Sequence, residues 1–294
     1  MYTYKINKLP KNTVEITLNL PLETIIKEKE AAFIKLQAEL TVEGFRKGKA
    51  PRAIAEKNLN IETIYQEMMK VILPKIYEEI VKKEKLSPLV NPKINLTKAK
   101  EKEDWEIKIT LCEKPVIVLG EYKEVIKEIK AKSKKDNIWV PGKESTSVPP
   151  TAGLRRDEEN KSKLINEVLS VVLKEVKIEI ADMLIEEELN HRLARMVDDI
   201  QKIGLTVEAY LKSKNLTMDI LKTQYKKEIE DTYKIEFILG EIADKEGIKV
   251  EKSDLDKLFT NIKDEKERKA AEANSYYYAS VLRKQKTLDF LTSL

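Results

Sequence analysis

The hydrophobic period of this chain changes along its length, and that change limits the folds open to it. Val14, Ile16, Leu18 and Leu20 alternate with polar residues, and so do Trp105, Ile107, Ile109 and Leu111. A period of two puts each set on one face of a half-buried strand. Between the two runs the period is helical. Leu22, Ile25, Ile26, Phe33, Leu36 and Leu40 form one stripe, and Ile61, Ile64, Tyr65, Met68, Ile72 and Ile76 form another. Pro74 lies inside the second stripe and predicts a kink or a break there. Strands grouped around a helix pair predict an α+β domain in which an antiparallel sheet accompanies two helices.

Past residue 160 every strong signal is helical. Ile185, Leu189, Leu193, Met196, Ile200 and Ile203 recur at steps of three and four, and Gly204 predicts the stop. Thr217 and Asp219 predict the start of a helix running to about Gly247, and Ser253 to Asp256 reads as a capping box for the next. This half is expected to be all-α and elongated. Residues 131–160 hold Pro141, Pro149, Pro150, Gly142, Gly153 and a Ser/Thr cluster, and read as a linker. The expected plan is a first domain over 1–130, a linker over 131–160 and a helical domain over 161–294.

Composition narrows the function. Charged residues make up 36% of the 294, which favours much solvated helix surface. The net charge of +4 is too small for a general nucleic-acid binder, but it is unevenly placed. Residues 1–120 carry 22 Lys and Arg against 17 Asp and Glu, whereas residues 161–294 carry 24 against 26. An anionic partner for the first part and a different partner for the second follow from that split. One cysteine, Cys112, excludes an internal disulfide framework and fits a reducing compartment. No apolar run approaches the roughly 20 residues a membrane helix needs, so a cytoplasmic protein is expected.

Catalytic signals are few. His191 is the only histidine and reads as solvated surface on a helix. Cys112 falls on the polar phase of its strand, the acids Glu186 to Glu188 read as a solvated helix face, and no phosphate loop or dinucleotide glycine pattern occurs. No catalytic residue, cofactor or metal is expected.

The connector between the two N-terminal helices is the odd feature. Gly44 and Gly48 bracket Phe45, Arg46 and Lys47, and Lys49 and Pro51 follow. Glycines permit positive φ in a tight turn, and a Phe between them is poorly placed to pack inward. It is well placed to enter a partner's pocket, with cations beside it for carboxylate or phosphate. Pro51 fixes φ where the next helix begins.

Gly44-Phe45-Arg46-Lys47-Gly48-Lys49-Ala50-Pro51 resembles the ribosome-docking loop of the trigger factor family, bacterial nascent-chain chaperones whose motif reads Gly-Phe-Arg-x-Gly-Lys-x-Pro. The resemblance extends through Val71 to Ile94, through the arm-like helix around Ile185, and through Leu239 to Leu258. One departure is Ala181, where the family usually has proline. The resemblance implies that Gly44, Phe45, Arg46, Lys47, Gly48, Lys49 and Pro51 form the ribosome-binding site. The implied partners are the large ribosomal subunit near the tunnel exit, through protein and rRNA, and unfolded nascent polypeptides. A weak homodimer off the ribosome is also implied, and no membrane partner.

Such chaperones also carry an FK506-binding-type prolyl isomerase domain between these two halves. The short segment here leaves no room for it, so no isomerase activity is expected. Trp139 in that segment reads either as a tether for the linker or as a client contact. Tyr276, Tyr277 and Tyr278 cannot all face one core at 100° per residue, so at least one is expected to be exposed. Two other readings compete: a SurA-type holdase that does not use ribosomes, and an RNA-binding protein acting through the basic loop.

Overall fold

A computed structural model describes residues 2–136, 150–260, 262 and 264–294, with side chains described outside 129 and 132–161. The chain divides into two compact units, Met1–Lys114 and Pro115–Leu294.

The first unit is α+β. Its elements are β1 (Thr3–Leu9), β2 (Thr13–Leu20), α1 (Leu22–Glu39), α2 (Arg52–Asn58), α3 (Ile61–Glu84), β3 (Lys93–Lys98) and β4 (Trp105–Cys112). The antiparallel sheet has the order β1-β2-β4-β3. Val14, Ile16, Leu18 and Leu20 stand opposite Leu111, Ile109, Ile107 and Trp105, so both alternating runs meet on one face. That face, with Ile25 and Phe33 of α1 and Ile64, Met68, Leu73, Ile76 and Ile80 of α3, forms the core. The sheet is also tied to α3 through side chains. Tyr2, just before β1, and Tyr4 of β1 donate their hydroxyls to Glu79 at 2.7 Å and Glu84 at 2.6 Å.

Two expectations change here. Pro74 does not break its helix, because α3 runs unbroken from Ile61 to Glu84 with Leu73 and Ile76 buried on either side of it. Cys112 is wholly buried, although it falls on the polar phase of β4. The chain before β3 returns over that strand end: Leu89 donates its N–H to the Cys112 carbonyl at 3.0 Å, and Pro88 bridges Glu113.

The second unit is helical throughout its named elements: α4 (Tyr122–Asp136), α5 (Pro150–Glu175), α6 (Asp182–Lys202), α7 (Val207–Ser213), α8 (Met218–Lys245), α9 (Lys252–Thr260), α10 (Glu265–Ala273) and α11 (Ser275–Ser293). Leu119, Tyr122 and Ile126 pack with Val168, Val172 and Val176 of α5, Ile238, Leu239 and Ile242 of α8 and Leu291 of α11. Leu119, Tyr122 and Ile126 thus pack in the core of the second compact unit, although they lie within the span 1–130 expected for the first domain. The expected linker overlaps the end of α4 and the start of α5, while Trp139 lies outside the described residues.

Helix ends follow their sequence signals with one exception. Thr217 caps α8 by accepting from Ile220 N–H at 3.3 Å, and Gly204, at φ 74°, follows the end of α6. The expected capping box at Ser253 to Asp256 is displaced. α9 begins at Lys252, and Asp254 reaches back to the Glu251 N–H at 2.9 Å. Ala181 precedes α6 at φ −61°, the angle a proline ring would impose, so the alanine keeps the geometry without the ring.

Candidate functional site

The loop from Thr41 to Pro51 connects α1 to α2, and its shape is set by backbone contacts. Gly44 at φ 83° and Gly48 at φ 74° occupy the left-handed region that residues with a Cβ enter at a cost. The two glycines differ in surroundings. A Cβ on Gly44 would meet nothing within 4 Å, whereas one on Gly48 would lie 2.5 Å from the Ala38 carbonyl oxygen. Gly48 also donates its N–H to the Leu40 carbonyl at 3.0 Å, so the loop's second half is pressed against the end of α1. Two turns complete the path, with Phe45 N–H on the Val42 carbonyl at 3.0 Å and Lys49 N–H on the Arg46 carbonyl at 2.9 Å.

The exit of the loop is pinned as firmly. Gln37 Nε2 donates to the Ala50 carbonyl at 2.9 Å, and Ala50 itself is buried. Pro51 stands at φ −57° as the residue preceding α2. Arg52 grips Glu30 of α1 through two nitrogens at 2.6 and 2.8 Å, reaches Glu56 at 2.7 Å, and lies 5.0 Å over the Phe33 ring. Hydrogen bonding to Arg52 lowers the Glu30 carboxyl below its usual range, and the same bond raises the guanidinium, so the pair stays charged.

On this base the side chains between the two glycines, and Lys49 after them, face outward. Phe45 keeps 39% of its surface exposed, and Arg46, Lys47 and Lys49 are all exposed. Among the described residues none of these three cations has an ion-pair partner, in contrast to the neighbouring Arg52. The seven sequence-predicted residues thus lie together in one loop that presents Phe45, Arg46, Lys47 and Lys49 at the surface. Sequence reasoning missed its supports, Gln37, Ala38, Leu40 and Arg52. Only Arg52 had a visible signal, an acid four residues on at Glu56.

The other singled-out residues carry no comparable arrangement. His191 is exposed on α6. Glu188 is engaged by Arg192 at 3.3 Å and Arg195 at 3.1 Å, which fits a solvated, ion-paired face. No group of three metal-ligating side chains occurs among the described residues, and no described helix is long and apolar enough to cross a membrane. Tyr276 and Tyr277 are exposed at 89% and 64%, while Tyr278 meets Phe259 edge-on at 5.6 Å.

Comparison with known proteins agrees with this architecture. The family model described as bacterial trigger factor protein matches residues 2–138, and the model for the bacterial trigger factor C-terminus matches residues 154–292. The chain belongs to the trigger factor family. Between the two matches lie only residues 139–153, as in a form lacking the isomerase domain. Among curated relatives, the trigger factor of Staphylococcus epidermidis is 33% identical over 108 residues, 37% of this chain and 25% of the relative. That of Lactococcus lactis subsp. cremoris is 34% identical over 116 residues, 40% and 27% respectively. That of Streptococcus uberis is 31% identical over 150 residues, 51% and 33%. The matched segments thus span a quarter to a third of these relatives' length. A solved trigger factor chaperone, described for promiscuous substrate recognition in folding and assembly, shares the fold with a TM-score of 0.61. Its identity is 14%, over 98% of this chain and 99% of the other.

Proposed function

We propose that this trigger factor family member is a cytoplasmic, ATP-independent chaperone. It docks on the large ribosomal subunit near the tunnel exit through the Gly44–Pro51 loop, holds unfolded nascent polypeptides, and has no prolyl isomerase activity. The observation that carries the docking reading is the contrast within the loop: a braced backbone, and on it one half-exposed aromatic and three cations without ion-pair partners among the described residues. A tunnel-exit surface offers carboxylates, phosphates and apolar crevices. Burying the rest of one Phe contributes about 1.5 to 3 kcal/mol at most, and each cation placed on a phosphate adds salt-dependent affinity.

Holding is assigned mainly to the helical unit. Capture of chains of no fixed sequence needs scattered apolar patches, each weak enough to release without ATP. Ile203 just past α6, Ile220 on α8, and Tyr276 and Tyr277 on α11 are exposed apolar or aromatic side chains of that kind.

The test is co-sedimentation with ribosomes. Replacing Phe45, Arg46 and Lys47 together by alanine should release the protein from the ribosomal pellet while its unfolding midpoint stays unchanged. Added salt should weaken wild-type binding with the shallow slope of a few ion contacts. Unchanged pelleting of the folded triple variant would remove the loop from the docking role.

A further inference from the structure

Ile34 stands between the two points at which the Thr41 to Pro51 loop is tied to α1. Residues four apart along a helix line up as one ridge, and Ile26, Glu30, Ile34 and Ala38 form such a ridge on α1. Arg52, just past the loop, holds Glu30 through two nitrogens at 2.6 and 2.8 Å. Gly48, within the loop, lies against the Ala38 carbonyl, since a Cβ there would come 2.5 Å from its oxygen. Ile34 is thus one turn from either tie, on the side of α1 that carries the loop. It is 56% exposed, and Ile26, one turn before Glu30, is 59% exposed.

Single exposed isoleucines are ordinary on a protein surface. Two features set this pair apart. They share one ridge with both ties, so at a rise of roughly 1.5 Å per residue the strip from Ile26 to Ala38 runs about 18 Å, up to the foot of the loop that presents Phe45. The strip is also electrically quiet. Its one charge, Glu30, is neutralised by Arg52, whereas Arg46, Lys47 and Lys49 of the loop have no ion-pair partner among the described residues. Charge and apolar area therefore stand side by side. Aliphatic side chains neither pair with phosphate nor stack on bases as aromatic and guanidinium planes do. A strip of this kind matches the apolar surface of a protein rather than the backbone of an RNA.

We propose that the Ile26 and Ile34 ridge of α1 is a second contact surface for the partner of the loop, packing on an aliphatic patch of a large-subunit protein while the loop's cations meet carboxylate or phosphate. This deepens the docking reading given above and rests on it. A footprint in two parts also sets orientation. A loop alone fixes one point about which the bound chain can pivot, and a ridge leading away from that point removes the pivot.

The test is co-sedimentation of the full chain with ribosomes over a series of salt concentrations. Ile34→Gln keeps a good helix former and adds no charge. It should weaken binding about fivefold to tenfold, because roughly half of one isoleucine remains to be buried, and leave the thermal midpoint unchanged. Ile34→Ala should weaken binding several-fold and covers the case in which Ile34→Gln disturbs folding. Ile26→Gln should act in the same direction. Leu9→Gln, at an exposed leucine on β1 away from the ridge, should bind as the wild type does. The slope of log affinity against log salt should stay that of the wild type in Ile34→Gln, whereas loss of a phosphate contact lowers it by about one. Wild-type affinity of the folded Ile34 variants overturns the proposal. A lowered salt slope would give the ridge to rRNA and overturn it too, as would a dimer of the free protein that Ile34→Gln dissociates while ribosome binding is unchanged. Failure of the docking reading itself shows differently, as unchanged pelleting of the Phe45, Arg46 and Lys47 triple alanine variant.

Discussion

Gly48→Ala tests whether the Thr41 to Pro51 loop, proposed to dock on the ribosome, is held in shape by α1. The substitution forces an L-residue to hold φ 74°, which costs about 1–2 kcal/mol for the left-handed region. It also sets a methyl 2.5 Å from the Ala38 carbonyl oxygen, a backbone atom that no side-chain rotation can move aside. Relief requires the loop to lift from α1, and that breaks the Gly48 N–H bond to Leu40, worth about 0.5–1.5 kcal/mol. Lifting releases the conformational strain, so the two costs are alternatives in part, and the sum settles near 2 kcal/mol. Gly44→Ala is the internal control. Its φ of 83° carries the conformational cost alone, with no atom within 4 Å of the new methyl. If binding needs the native loop, Gly48→Ala should lower ribosome affinity by roughly tenfold or more, since about 1.4 kcal/mol of lost population is a factor of ten. Gly44→Ala should have the smaller effect. Urea denaturation read alongside ribosome co-sedimentation measures both. Equal destabilisation by the two variants, or unchanged affinity of Gly48→Ala, would refute the idea that contact with Ala38 and Leu40 sets the loop.

Three further outcomes are expected. Glu246 has its carboxyl lowered from the ordinary 4.5 by hydrogen bonds from Lys123 and Tyr122, and Asp254 is lowered from 3.8, chiefly by Lys286. Depressed folded-state values give stability that is present above those ordinary values and lost as pH falls through the lower folded ones. The denaturation midpoint of the helical unit should hold from neutral pH to about pH 5 and fall below it, with a shallower fall in Glu246→Gln. A fragment beginning at Pro115 should fold and suppress aggregation of a denatured client in light scattering, whereas one beginning at Lys161 loses Leu119, Tyr122 and Ile126 from the core and should not fold stably. The whole protein should leave the exchange of a prolyl peptide at its uncatalysed rate of tens to hundreds of seconds, as read by protease-coupled absorbance.

How much was legible in the sequence depended on burial. β2 and β4 stood out because every second residue enters the core, giving clean alternation. The edge strand β3 did not, since it is exposed at all six positions and its Ile94 and Leu96 gave only two apolar steps. The packing of the segment after Lys114 was not legible for a related reason. Leu119, Tyr122 and Ile126 are helix-compatible residues next to the sheet in sequence, and only their packing on α5, α8 and α11 assigns them to the second unit. Within the Thr41 to Pro51 loop the residues that present chemistry were readable, because Gly, Phe, Arg and Lys advertise it. The residues that hold it were not. Ala38 and Leu40 act through their carbonyl oxygens, and a backbone atom leaves no mark in the choice of side chain.

On the proposed reading, the two partners also explain why one site is concentrated and the other dispersed. A ribosome presents one fixed surface, so a loop whose shape is already held by Gly48, Gln37 and Arg52 spends little entropy on docking, and its few contacts convert efficiently into affinity. An unfolded client presents a different surface each time, and a single preformed pocket would reject most of them. Exposed side chains spread over several helices, such as Ile203, Ile220 and Tyr276, can each be used or left idle without disturbing the fold beneath. Their contacts are apolar and little screened by salt, whereas the loop's cations act through charge. Moderate salt should therefore detach the chaperone from the ribosome while leaving its hold on a client intact, and parallel loss of both activities would mean that the two surfaces are not physically distinct.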